Sequence, residues 1–254
     1  MLELQDHGAV RELRLASPPV NALNMALVQR LNHELAAAIQ QGVRALVLSG
    51  QPGLFSAGLD VREVTSSPAE VLRRFIDEFF RLQDRLARSP IPIIAAITGH
   101  CPAGGTVLAL YCDHRVMARG AFRIGLNEVQ VGLYPGHTIF RAFERLVGAS
   151  RAAALLPRGA MLDPDGALAA GLVDELAAPE QVVARALELA AELVALPPRA
   201  YARTRALVRR DLVRLFEQPE EDVSAVFGAE WITGEAREHL GAILARSRGG
   251  SERS

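Results

Sequence analysis

The sequence contains no lysine; all 28 basic residues are arginine. That excludes a lysine Schiff base and a P-loop, whose chemistry needs an amine or ammonium at a defined position. Cysteine is nearly absent as well. Cys101 and Cys112 form no CxxC pair, so neither a disulfide framework nor a cysteine zinc site is indicated, no metal is expected, and a reducing cytosol fits. No uninterrupted run of about 20 apolar residues is present to span a bilayer. The opening MLELQDHGAVRELRL alternates like a strand and carries no cationic segment followed by an apolar one, so no signal peptide is expected. Neither sign of charge prevails. With 28 basic against 29 acidic residues, the chain lacks the electrostatic footprint of a nucleic-acid or membrane-surface binder. The expectation is a soluble, cytoplasmic protein without nucleic-acid or membrane partners.

What is present is enough apolar material for a core: half of the 254 residues are hydrophobic, sufficient for one large domain or a domain with an appendage. Residues 9–15, 43–49, 91–97 and 114–118 read as strands, and 25–40 and 69–88 carry apolar residues at helical spacing, an α/β alternation. After about residue 150 the strand signal fades and amphipathic helices are predicted over 181–195, 199–215 and 222–246. The LPPRA break at 196–200 divides a core, 1–196, from a helical C-terminal region, 197–254, that ends in a frayed tail.

Two glycine-containing turns each leave a buried-type strand. FSAGLDV, 55–61, follows VRALVLS, and TGHCPAGGTVLALY, 98–111, follows IPIIAAI. Gly104 and Gly105 stand where a helix begins, and the first amides of a helix have no intrahelical acceptor while its dipole favours negative charge. Each turn alone reads as ordinary packing; paired, they make a two-donor oxyanion hole plausible. Glu128 lies in an apolar stretch, IGLNEVQVGLYPG. It reads either as a surface residue at a loop tip or, if buried, as a general base with a raised pKa, and the local pattern leaves both open. Asp60 reads equally as the cap of a helix starting near residue 61.

These three segments, with PPVNALN at 18–24 and GLVDEL at 171–176, resemble the crotonase (enoyl-CoA hydratase/isomerase) superfamily over most of the chain, and within it the mitochondrial-type 3,2-trans-enoyl-CoA isomerases. The resemblance implies a crotonase fold, a spiral of β-β-α turns with a C-terminal helical layer, assembled as a homotrimer or a dimer of trimers. It implies the backbone amides of Leu59 and Gly104 as the oxyanion hole and Glu128 as the base. Ala22, Ala57, Gly58, Asp60, Val61 and Asn127 would contact an acyl-CoA substrate, with no further cofactor. Hydratases of the family carry a second glutamate three residues after Gly104, where this chain has Val107, which cannot move a proton. The implied reaction is isomerisation of 3-enoyl-CoA to trans-2-enoyl-CoA in fatty acid β-oxidation; the alternatives are another acyl-CoA reaction (hydration, hydrolysis or decarboxylation) or a non-catalytic CoA- or RNA-binding relative. His137 reads as a second proton carrier or a helix-start residue, and Phe227 and Trp231, four apart, as a pocket cover or ordinary core.

Overall fold

The computed structural model describes residues 1–219, 235–236 and 238–242. Strands β1 (Leu2–His7) and β2 (Val10–Leu15) form an antiparallel hairpin, and β2 then pairs in parallel with β3 (Ala45–Ser49), β3 with β5 (Ile93–Ile97), β5 with β7 (His114–Ala118), and β7 with β9 (Glu175–Ala177). A second, smaller parallel sheet holds β4 (Gly53–Leu54), β6 (Gly99–Pro102) and β8 (Ile124–Gly125). The chain therefore steps from a strand of the large sheet to one of the small sheet, returns through helical residues, and repeats. This is a spiral of β-β-α turns, the crotonase architecture.

The central strands of the large sheet are buried on both faces, which explains why β3 and β5 read as continuous apolar runs. Their pleat still sorts the side chains. Leu46, Leu48, Ile93, Ala95 and Ile97 join the main core with helix α1 (Met25–Gln40) and helix α3 (Ala69–Arg88). Ala45, Val47, Ile94 and Ala96 face the other way, against Val182, Ala186 and Ala190 of helix α8 (Val182–Val194). The small residues of α8 recur every four positions, which lets the helix lie close to the sheet.

Two expectations are corrected. The strand signal does not end at residue 150, because β9 completes the sheet; its three residues are too few to show an alternation. The helix predicted over 199–215 is two helices, α9 (Pro198–Val208) and α10 (Arg210–Glu217), parted at Arg209, where φ −111° and ψ 11° leave the helical region. Of the predicted helix at 222–246, residues 235–236 and 238–242 are helical, with Ala236 and Leu240 buried, and 220–234, 237 and 243–254 lie outside the described residues.

Arg205 and Arg209, one turn apart, point inward and are almost wholly buried. Arg205 donates to the carbonyls of Leu86 (2.9 Å), Ala87 (3.0 Å) and Ser89 at the C-terminus of α3. Arg209 donates to Ala87 at 3.3 Å and to Tyr111 and Cys112, the residues that follow helix α4 (Gly104–Leu110). Both guanidiniums meet the Asp113 carboxylate, at 2.9 and 3.0 Å, and Asp113 also accepts from the Ile93 N–H at 2.8 Å. One carboxylate and the negative ends of two helix dipoles thus share two buried cations. Burial pulls Arg209 down to about 10, against the attraction of Asp113. Replacing Asp113 with Ala leaves both cations without their counter-ion and should cost about 3 to 5 kcal/mol, read as a lower denaturant midpoint in chemical unfolding.

Candidate active site

The turn after β4 is held from behind by the segment before α1, through the Asn21 side chain and the backbone of Asn21 and Leu23. Buried Asn21, at φ 49°, donates to the Phe55 carbonyl at 3.1 Å. The buried Ser56 hydroxyl donates to the Asn21 carbonyl at 2.8 Å and accepts from the Gly58 N–H at 3.1 Å. On either side of Leu59, the Gly58 carbonyl accepts from Leu23 and the Asp60 N–H donates to Leu23. This clamp fixes the plane of the turn, and the Leu59 N–H finds no acceptor among the described residues.

The second turn meets the first at backbone distance. A Cβ on Gly104 would lie 3.2 Å from the Leu59 nitrogen, one on Gly58 3.0 Å from the Gly104 nitrogen, and one on Gly105 2.8 Å from the Ser56 carbonyl oxygen. Gly58 also has φ +89°. The glycines are what allow the two turns to touch. Ala103, immediately before α4, holds φ 46°, a strained conformation for an L-residue that costs about 1 to 3 kcal/mol. Its N–H is tied to the Gly125 carbonyl at 2.9 Å. The Thr106 hydroxyl is hydrogen-bonded to the Cys101 carbonyl and to both the N–H and the carbonyl of Gly125, which locks the start of α4 to β6 and β8. The Gly104 N–H, at the first position of α4, also has no acceptor among the described residues.

These two free amides open onto a cavity of about 210 Å³. Its walls are apolar: Ile76, Phe79 and Phe80 from α3, Val107 from α4, Ile139 from helix α5 (His137–Val147), and Leu240. Glu128 enters at the start of a 3-10 turn, Glu128–Val131, that reverses at Gly132, with the Glu128 carbonyl accepting from Leu133 at 2.9 Å. The residue is 9 % exposed, and its Oε2 has no partner among the described residues. Desolvation pushes its carboxyl up to about 7, opposed in part by its own backbone N–H. It is the only carboxyl among the described residues lining the cavity. The two readings left open by the sequence resolve to the buried one.

Ala57, Leu59, Val61, Gly104, Val107, Asn127 and Glu128 all line this cavity; Ala22, Gly58, Asp60 and His137 do not. Asp60 caps helix α2 (Val61–Ser66), its Oδ1 accepting from the N–H groups of Arg62 (2.9 Å) and Glu63 (3.2 Å). His137 is the first residue of α5, its ring centroid 6.4 Å from that of Phe140. Exposed His100 packs edge-on against Phe122. Phe227 and Trp231 lie outside the described residues. Sequence reasoning missed Asn21, Ser56 and Thr106; small polar residues inside apolar motifs were the available signal.

A two-amide cradle, one desolvated carboxyl and an apolar pocket are the parts with which an enzyme can hold a carbonyl oxygen and move a proton. Residues 5–228 match the family described as Enoyl-CoA hydratase/isomerase, and the chain belongs to that family. It is 34 % identical over 223 residues to the human mitochondrial enoyl-CoA delta isomerase 1, covering 86 % of this chain and 74 % of that protein. It is 31 % identical over 246 residues to a probable enoyl-CoA hydratase of Bacillus subtilis (strain 168), covering 94 % and 93 %. Among solved structures, human mitochondrial delta3-delta2-enoyl-CoA isomerase superposes with a TM-score of 0.92 at 30 % identity, covering 100 % of this chain and 99 % of the other.

Since the folded carboxyl of Glu128 titrates above its unfolded value, folding is opposed once the unfolded chain ionises. The stability difference is absent below about pH 4 and develops fully as pH rises through about 7. Glu128→Gln should therefore be more stable than the parent by up to about 3 kcal/mol at pH 8, with the gap closing towards pH 4. Urea unfolding of both proteins across this range checks it. Gly105→Ala tests the other side of the site: it should push α4 from Ser56 and lower activity at least tenfold, by about the share of one misplaced oxyanion donor.

Proposed function

We propose that the protein isomerises 3-enoyl-CoA to trans-2-enoyl-CoA with a single glutamate base. The thioester oxygen lies between the N–H groups of Leu59 and Gly104, and the acyl chain runs into the pocket between α3 and α5. The Glu128 carboxylate takes a proton from C2, and the electron pair of that C–H bond passes into a dienolate whose charge rests largely on the thioester oxygen. The Glu128 acid then returns the proton to C4: the C3–C4 double bond is consumed, C2–C3 becomes the double bond and the carbonyl is restored. The two amides act when the charge develops, each worth about 3 to 4 kcal/mol in the transition state.

The observation that carries this reading is the pairing of Glu128 with Val107. Adding water across a double bond by the two-carboxylate route needs a second acid to hold and polarise it, and Val107 supplies buried hydrocarbon at the position in question. Moving a proton from C2 to C4 needs one base with an acidity near neutrality, which desolvation gives Glu128. The likeness to both the human mitochondrial isomerase and a probable hydratase makes hydration the second reading to measure.

Purified protein given a 3-enoyl-CoA should form conjugated 2-enoyl-CoA quickly and hydrate crotonyl-CoA negligibly. Glu128→Gln should lose roughly 10²-fold or more in kcat while remaining folded. Parent kcat/KM should rise with pH through about 7 as Glu128 ionises. Hydration as fast as isomerisation, or an active and folded Gln variant, would overturn the proposal.

A further inference from the structure

Two buried acceptors on residues that line the cavity find no donor among the described residues: Asn127 Oδ1 and Glu128 Oε2. The Asn127 side chain does not cap the 3-10 turn that follows it, so the local backbone gives no reason for an amide here. A desolvated acceptor without a donor destabilises the fold, and an apolar side chain would avoid that cost. The unsaturated acyl chain of a 3-enoyl thioester carries no N–H or O–H to supply the deficit. The proposed reaction itself generates a donor beside Asn127: the proton that Glu128 takes from C2.

We infer that Asn127 is a positioning residue whose Oδ1 accepts the hydrogen bond of protonated Glu128 in the interval between proton removal at C2 and delivery at C4. The inference rests on the isomerase reading. Its chemical content is that the dienolate and the acid coexist for a moment in one dry cavity, and the proton must neither fall back on C2 nor escape to water. A fixed acceptor adjacent in the chain holds the acid in one orientation through that moment. Among the described residues lining the cavity there is no other carboxyl, histidine or arginine. The side chains lining it from α3, α4 and α5 are Ile76, Phe79, Phe80, Val107 and Ile139, and besides Glu128 the one titratable group lining the cavity among the described residues is the Tyr134 phenol.

The test compares full-length parent protein, Asn127→Leu and Asn127→Asp with a 3-enoyl-CoA in H₂O and in D₂O. The Leu variant should lose about tenfold or more in kcat, the effect of one buried hydrogen bond, with KM little changed. Its product should carry more solvent deuterium at C4, and its unfolding midpoint should equal or exceed that of the parent. The Asp variant should shift the acidic limb of kcat/KM to higher pH, because a second carboxyl beside Glu128 disfavours its ionised form. Parent-like kcat and isotope content in a folded Leu variant would overturn the inference, as would a loss confined to KM. Should the Leu variant fail to fold, an unmoved limb in the Asp variant overturns it alone. Absence of isomerisation in the parent protein removes the isomerase reading and this inference with it, an outcome visible before any variant is made.

Discussion

The structure turns on one contact between two pieces of backbone: the turn around Gly58 lying against the start of α4 at Gly104 and Gly105. A side-chain carbon at any of these glycines would meet backbone at 2.8 to 3.2 Å, so the contact exists only because nothing is attached there. Much of the surrounding polar structure serves it. Asn21 and Ser56 hold one turn from behind, Thr106 anchors the other to two strands, and Ala103 is kept in a strained conformation by its bond to Gly125. The result is a pair of N–H groups whose directions are set before any ligand arrives, and preorganised donors of this kind need no reorganisation as charge develops.

The site is assembled at the expense of stability. Among the described residues it leaves two amides without acceptors, two side-chain oxygens without donors, and a carboxyl in a hydrocarbon pocket. Each omission is unfavourable for the fold and each is directed at the same cavity. The large sheet, its central strands buried on both faces and covered by α8 on one of them, supplies the apolar burial against which these local losses are set.

Much of this was legible in the sequence because it is carried by residues that break a local pattern. Glycine pairs after apolar strands, a lone glutamate in an apolar run, and a valine where relatives place a carboxylate are all exceptions to their surroundings. What escaped is carried by residues that look ordinary. Arg205 and Arg209 resemble surface positions of an amphipathic helix, and only the tertiary structure turns them inward. β9 is too short for its period to register. Asn21 and Ser56 act through the backbone of a segment 34 and 35 residues away, a relation that no local window contains. Asp60 could be read as a helix cap from residue type alone, and hydrogen-bond geometry shows that cap formed.

The two buried arginines have a consequence beyond anchoring. The helix whose last carbonyls Arg205 holds contributes Ile76, Phe79 and Phe80 to the cavity, and the helix whose last carbonyls Arg209 holds begins with the Gly104 amide. The acyl wall and the oxyanion donor are thus moored to the same short stretch of α9 and its junction with α10. Their spacing is gauged by residues that do not line the cavity, so a chemically silent part of the chain sets the width of the slot between them.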